Sequence, residues 1–113
     1  RYALCHGDFR NGNIIVDEAG LAGVLDWEGA HLGNPSADLG WMCVRAWRYG
    51  YHDKMVGGFG DLEQLLDGYE AGGGGRIGGE EMHFWHVFGT LRWGVLCMIL
   101  GFTHLDGDQR TVE

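Results

Sequence analysis

The sequence predicts an α+β fold, mainly helical, in which a small β-hairpin packs on three or four helices. Three observations carry this. The 113 residues suffice for one small domain with a core and are too few for two. Short β-branched and apolar runs are confined to the first third, at Ile14–Asp17 and Ala22–Asp26. Beyond Asn34, apolar residues recur instead at spacings of three and four.

The two apolar runs flank Glu18-Ala19-Gly20-Leu21, which suits the connection of a hairpin. Asn34 before Pro35 is a helix start, since Asn caps and Pro is tolerated in the first turn. From there Leu39, Met42, Cys43, Ala46 and Trp47 make one apolar helical face. Tyr49 to Gly60 is a Gly-rich connection, and Asp61 with Gln64 forms a capping box that opens a helix through about Ala71. Gly72 to Gly79 holds six glycines in eight residues, but no strand precedes it and no Gly-Lys-Ser/Thr follows. It reads as a flexible helix connector rather than a phosphate loop.

Glu80 to about His104 is the longest predicted helix, with Glu80 and Glu81 favourably placed in its first turn. Phe84, Phe88, Leu91, Val95, Met98 and Phe102 share one stripe of it. The run Trp93 to Phe102 is half the roughly 20 residues of a bilayer span and is flanked by Arg92 and His104, so it reads as a buried core helix. Trp41, Trp47, Trp85 and Trp93 fall at helical spacing and read as core. Asp106 to Gln109 is a turn, and Arg110 to Glu113 opens a further helical turn.

Charge narrows the function classes. With 8 Lys+Arg against 16 Asp+Glu, a net charge of −8 and no basic run, the chain lacks the electrostatics for nucleic acid or anionic membrane. Five Trp, five Phe and four Tyr supply too much buriable surface for a disordered chain. Cys5, Cys43 and Cys97 are odd in number and far apart, which fits neither a disulfide framework nor a CxxC metal clip. All three read as small buried hydrophobes in a reducing, cytoplasmic compartment. Residue 1 is Arg and an apolar run follows at once, without the pattern of a secretory leader, so the natural start is expected upstream.

The chemistry is concentrated in His6-Gly7-Asp8-Phe9-Arg10-Asn11-Gly12-Asn13, which leads into the first strand, and in Asp26-Trp27-Glu28 after the second. Phosphoryl transfer from a nucleotide needs this inventory. One carboxylate orients the attacking hydroxyl and accepts its proton, while an amide oxygen and a second carboxylate hold Mg²⁺ across the phosphates. The hairpin brings the end of the second strand back beside the loop that starts the first. Gly7 and Gly12 are expected to serve backbone geometry or close approach. His31, His52, His83, His86 and His104 show no convincing ligand spacing, and the i, i+3 pair His83 and His86 reads as a core or surface pair.

The spacing Asp-x4-Asn, then a strand, then Asp, is that of the protein-kinase catalytic and metal loops. Here His-Gly-Asp stands for His-Arg-Asp, and Asp-Trp-Glu for Asp-Phe-Gly. In these variants, and in Pro35-Ser36-Ala37-Asp38-Leu39 as a Pro-x-x-Asp-Leu helix start, the chain closely resembles the aminoglycoside phosphotransferase family. The motifs cover residues 4 to 48, and the rest matches by helical pattern. The stretch Gly23 to Trp41 also resembles the branch of that family found near or fused to acyl-CoA dehydrogenases, which implies a hydroxyacyl substrate.

The resemblance implies a protein-kinase-like C-terminal lobe over residues 1–113 and an ATP-dependent small-molecule O-kinase. It makes Asp8 the catalytic base, Asn13 and Asp26 the Mg²⁺ and cofactor ligands, and His6 and Asp38 structural supports of the catalytic loop. ATP is the implied phosphoryl donor and a small-molecule hydroxyl the acceptor. The partner is an N-terminal lobe, because a Gly-rich phosphate loop and a strand Lys paired with a helix Glu do not occur in these residues. The isolated chain is therefore expected not to turn over. Two other classes stand beside this reading: a non-catalytic kinase-like module that binds nucleotide or a partner, and a Mg²⁺-dependent hydrolase built on the same carboxylates. Asp53, Asp61, Glu63, Asp67, Glu70, Glu80 and Glu81 would favour a cationic acceptor, although solvated helix faces explain them as well.

Overall fold

Two antiparallel strand pairs frame the polar loop of residues 6 to 13, in a computed structural model that describes residues 2–107. Strand β1 (Ala3–Cys5) precedes the loop and pairs with β4 (His31–Gly33), with Leu4 opposite Leu32. Strand β2 (Ile14–Asp17) follows the loop and pairs with β3 (Gly20–Val24), Ile14 lying opposite Val24. The β1–β4 pair was not legible as such, because each strand is only three residues long and carries no alternation. The hairpin turn is tighter than the sequence suggests. Only Glu18 and Ala19 lie between the strands, the Asp17 carboxylate accepts the Ala19 amide at 2.8 Å, and Gly20 takes a positive φ of 116°.

Helix α1 (Ser36–Met42) begins as the Asn-Pro signal requires, with the Asn34 side chain accepting the Ser36 amide at 3.0 Å. It ends sooner than the apolar spacing implies. Cys43 and Val44 interrupt it, and Arg45–Arg48 form a separate 3-10 turn whose Trp47 indole donates to the Trp41 carbonyl at 2.9 Å. Helix α2 (Leu62–Ala71) opens on the expected capping box, the Asp61 amide donating to Gln64 Oε1 at 2.9 Å. The glycine-rich connector after it is tied down. Arg76 reaches Glu63 at 2.6 Å and Asp67 at 2.8 Å, and Ile77 is buried in the core.

Helix α3 (Gly79–Leu105) is the spine and packs on α1. Two glycines set the crossing: a side chain at Gly40 would run into the Trp85 backbone, and one at Gly89 would press on Val44. The core is built from Leu39, Met42, Cys43, Val56, Leu66 and Met82, with a second cluster of Trp41, Val44 and Trp47. Three expectations are overturned along α3. The stripe of Phe84, Phe88, Leu91, Val95, Met98 and Phe102 is exposed rather than buried, and so is Cys97. Trp93 is only half-buried. The physical reason is that α3 is apolar on nearly every side, so periodicity cannot choose a face; the close approach at Gly40 and Gly89 does. By length and composition alone α3 is long and apolar enough to cross a membrane. Its Arg92, however, bonds the Gly7 carbonyl and its Trp93 packs on Trp47, which makes this helix a wall of the fold. Asp106 and Gly107 form the start of the expected turn, and the helical turn expected at 110 to 113 lies outside the described residues.

The result is an α+β architecture of three α-helices and two small antiparallel sheets among the described residues.

Candidate active site

The loop between β1 and β2 is shaped by hydrogen bonds that all point at its backbone. The Asp38 carboxylate, in the first turn of α1, accepts the His6 amide on Oδ2 at 2.7 Å and the Gly7 amide on Oδ1 at 3.0 Å. His6 is buried, and its Nδ1 accepts the Asp8 amide at 3.0 Å. That acceptor role fixes the ring as the Nε2–H tautomer, so Nε2 donates to the Leu25 carbonyl at 2.7 Å. One imidazole thereby ties the loop to the residue before Asp26, and Trp27 packs edge-on against it at 4.6 Å. Gly7 has a φ of 92°, and a side chain there would collide with the Gly29 carbonyl, so this position requires glycine twice over.

Asp8 is held at the mouth of a cleft by three donors. Its Oδ1 accepts the Trp41 indole N–H at 2.9 Å and Arg10 Nε at 3.1 Å, while its Oδ2 accepts the Asn13 amide at 3.0 Å. The Asn13 Nδ2 also donates to the Asp8 carbonyl at 2.8 Å. Both bonds use the nitrogen, so among the described residues the amide oxygen of Asn13 is left as a free acceptor. The Asn13 carbonyl in turn accepts the Leu25 amide at 2.8 Å, which sets Asn13 beside the strand end that presents Asp26. Asp26 adopts a left-handed φ of 61°, uncommon for a residue other than glycine, and its carboxylate has no partner among the described residues.

These two oxygen donors fit Mg²⁺. The ion keeps several waters, takes one or two protein oxygens and completes its shell with substrate phosphates. Among the described residues no three His, Cys, Asp or Glu side chains gather into a protein-only metal cage. Asn13 Oδ1 and Asp26 would hold the ion. Bound there, it would neutralise charge developing on a transferred phosphoryl group.

The cleft has a volume of about 620 Å³. Its lining includes Asp8, Asp26 and Glu28 together with Trp41, Trp47, Trp93 and Arg92. Trp47 and Trp93 lie 4.8 Å apart, with Trp41 edge-on to Trp47 at 5.3 Å. None of the seven acidic residues that hinted at a cationic acceptor lines it.

Sequence reasoning placed Asp8, Asn13, Asp26, His6 and Asp38 in one site, and the fold brings all five together. It missed Trp41, Arg10 and Arg92. Trp41 was assigned to the core by its spacing and is indeed buried, yet it turns its one polar atom to Asp8. A signal was present: Trp41 stands three residues after Asp38 and so shares its helical face. Arg92 was visible as a lone cation in the apolar run of α3, but nothing local says which way it faces.

The family described as "Phosphotransferase enzyme family" matches residues 1–85. Among curated proteins, mouse (Mus musculus) acyl-CoA dehydrogenase family member 10 is 46% identical over 46 residues, 39% of this chain and 4% of that protein. Chicken (Gallus gallus) acyl-CoA dehydrogenase family member 11 is 56% identical over 39 residues, 33% of this chain and 5% of that protein. The chain thus spans only a small fraction of the length of these relatives. No solved structure matches it.

Proposed function

The chain belongs to the phosphotransferase enzyme family, and from that premise we propose that it is the catalytic and Mg²⁺-holding lobe of an ATP-dependent kinase acting on a small-molecule hydroxyl. The observation that carries this is the state of three side chains. Asp8 is oriented by Trp41, Arg10 and Asn13, while the Asn13 amide oxygen and the Asp26 carboxylate have no donor among the described residues.

In this reading the acceptor hydroxyl binds against Asp8, which aligns it with the γ-phosphorus and takes its proton as the new oxygen–phosphorus bond forms and the bond to the β–γ bridging oxygen breaks, releasing ADP. Asn13 and Asp26 would hold Mg²⁺. His6 and Asp38 fix the loop backbone, so that Asp8 is positioned before substrate arrives. The elements that close over the nucleotide belong to the opposing lobe. The two relatives are named for acyl-CoA compounds, and since a kinase needs a hydroxyl to act on, hydroxyacyl compounds join aminoglycoside-like and choline-like alcohols on the acceptor panel.

The test uses the full-length protein with MgATP and that panel, reading the phosphorylated acceptor by mass. Asp8→Asn is expected to lower kcat by about 10²–10⁴-fold with little change in nucleotide KM. Phosphate release that needs no acceptor would assign the site to hydrolysis instead.

A further inference from the structure

Of the two guanidinium groups that line the cleft, Arg10 is paired with Asp8, and Arg92 forms no ion pair among the described residues. Arg92 is nevertheless held in place. Its Nη2 donates to the Gly7 carbonyl at 2.9 Å, and its guanidinium lies 4.2 Å from the centre of the Trp41 ring. One of its five N–H groups is thus used, the stacked plane is fixed, and the side chain is open to solvent. A fixed, unpaired guanidinium in a chain of net charge −8, set on an aromatic wall beside a reacting carboxylate, is poorly explained as scaffolding alone. Its remaining donors suit the planar fork of an oxyanion.

We propose that Arg92, with Trp41, Trp47 and Trp93, forms an anion subsite of the acceptor cleft, so that the acceptor carries a negatively charged oxygen group on an apolar or aromatic body. This rests on the phosphotransferase reading for the word acceptor, but not for the binding itself. Half-buried Trp93 and exposed Tyr49, backed by the buried Trp41 and Trp47, supply the apolar surface and Arg92 the charge selectivity. The Gly7 carbonyl that Arg92 holds is joined directly to Asp8, so an anion seated on Arg92 lies close to the catalytic loop. Glu28 lines the same cleft and makes no ion pair with Arg92 among the described residues.

The experiment uses three alcohols of one skeleton: 3-hydroxy-3-phenylpropanoate, its uncharged amide, and 3-amino-1-phenylpropan-1-ol. Each is titrated calorimetrically into the full-length protein, wild type, Arg92→Met and Arg92→Lys, and transfer from MgATP is measured in parallel. The acid is expected to bind at least tenfold tighter than the amine, with the amide between. Arg92→Met should abolish that order while MgATP affinity changes less than twofold, and Arg92→Lys should keep part of it. Equal or tighter binding of the amine, or no binding of any of the three, overturns the subsite. So does a larger loss of MgATP than of acid binding in Arg92→Met, which would give Arg92 to the nucleotide phosphates. If Arg92→Met does not fold, the charge order in wild type and Arg92→Lys still decides. A preserved charge order without transfer to any alcohol would sink the phosphotransferase reading and leave the subsite; transfer without the charge order would do the reverse.

Discussion

The indole N–H of Trp41 donates to Asp8 Oδ1 at 2.9 Å, joining the first turns of the helical half to the loop that carries the proposed base. The bond fixes the rotamer of Asp8 from a residue that is itself immobilised by Trp47 and Trp93. Trp41→Phe keeps the ring packing and removes only the donor. Hydrogen bonds to a charged group contribute about 1.5–3 kcal/mol, so even partial loss of alignment is expected to lower kcat by about tenfold. Acceptor and nucleotide KM should stay within about twofold of wild type. Steady-state kinetics of the variant read this directly, and an unchanged kcat would show that Arg10 and Asn13 suffice to hold Asp8.

Asp38 works on the backbone of the same loop. Its two oxygens take the His6 and Gly7 amides separately, so Asp38→Ala strands two donors at once. Each stranded donor costs about 1–3 kcal/mol, which puts the loss of folding stability at roughly 2–6 kcal/mol. Asp38→Asn keeps one acceptor and should fall between the two. Urea unfolding of the three proteins gives the order, and Asp38→Ala as stable as wild type would remove Asp38 as the brace of the loop.

Much of this site was legible in the sequence because its parts are local. Asp8 and Asn13 share one loop, and the hairpin that returns Asp26 to them is written in two short β-branched runs. The Asp61–Gln64 cap and the glycine-rich break before α3 are local signals as well, and both helices begin where those signals put them. What could not be read was orientation. Trp41 and Arg92 reach the cleft only through the crossing of α1 and α3, and that crossing is decided by the absence of side chains at Gly40 and Gly89. A periodic pattern reports which residues share a face, not which face meets a neighbour. On a helix as uniformly apolar as α3 the two questions separate, which is why the expected core stripe lies outside.

The cysteines follow from the same correction. Cys5 and Cys43 are fully buried, and burial pushes the Cys43 thiol up to about 11 and raises Cys5 as well. Cys97 is on the open face of α3. A thiol-specific disulfide reagent at pH 8 should therefore modify one cysteine rapidly and two only on unfolding. Cys97→Ser should remove the fast phase entirely. Rapid modification of two thiols in that variant would contradict the burial of Cys5 and Cys43.

His86 gives the fold a pH dependence with a defined sign. It is half-buried on the inner part of α3, and desolvation, with Arg48 and His83 as like-charged neighbours, lowers its pKa below the ordinary 6.5. In the window between the lowered folded value and 6.5 the unfolded chain binds a proton that the folded one does not. The contribution of His86 to stability is therefore complete above pH 6.5 and is lost as pH falls through the folded value. Unfolding midpoints measured from pH 7.5 down to 5 should fall on acidification. His86→Gln, which cannot take up the proton, should flatten that slope while sitting at a similar midpoint at pH 7.5. His83→Gln removes one of the two repelling neighbours, which brings the folded value back toward 6.5 and should make the fall smaller without abolishing it. A slope identical in wild type and His86→Gln would assign the acid sensitivity to other groups.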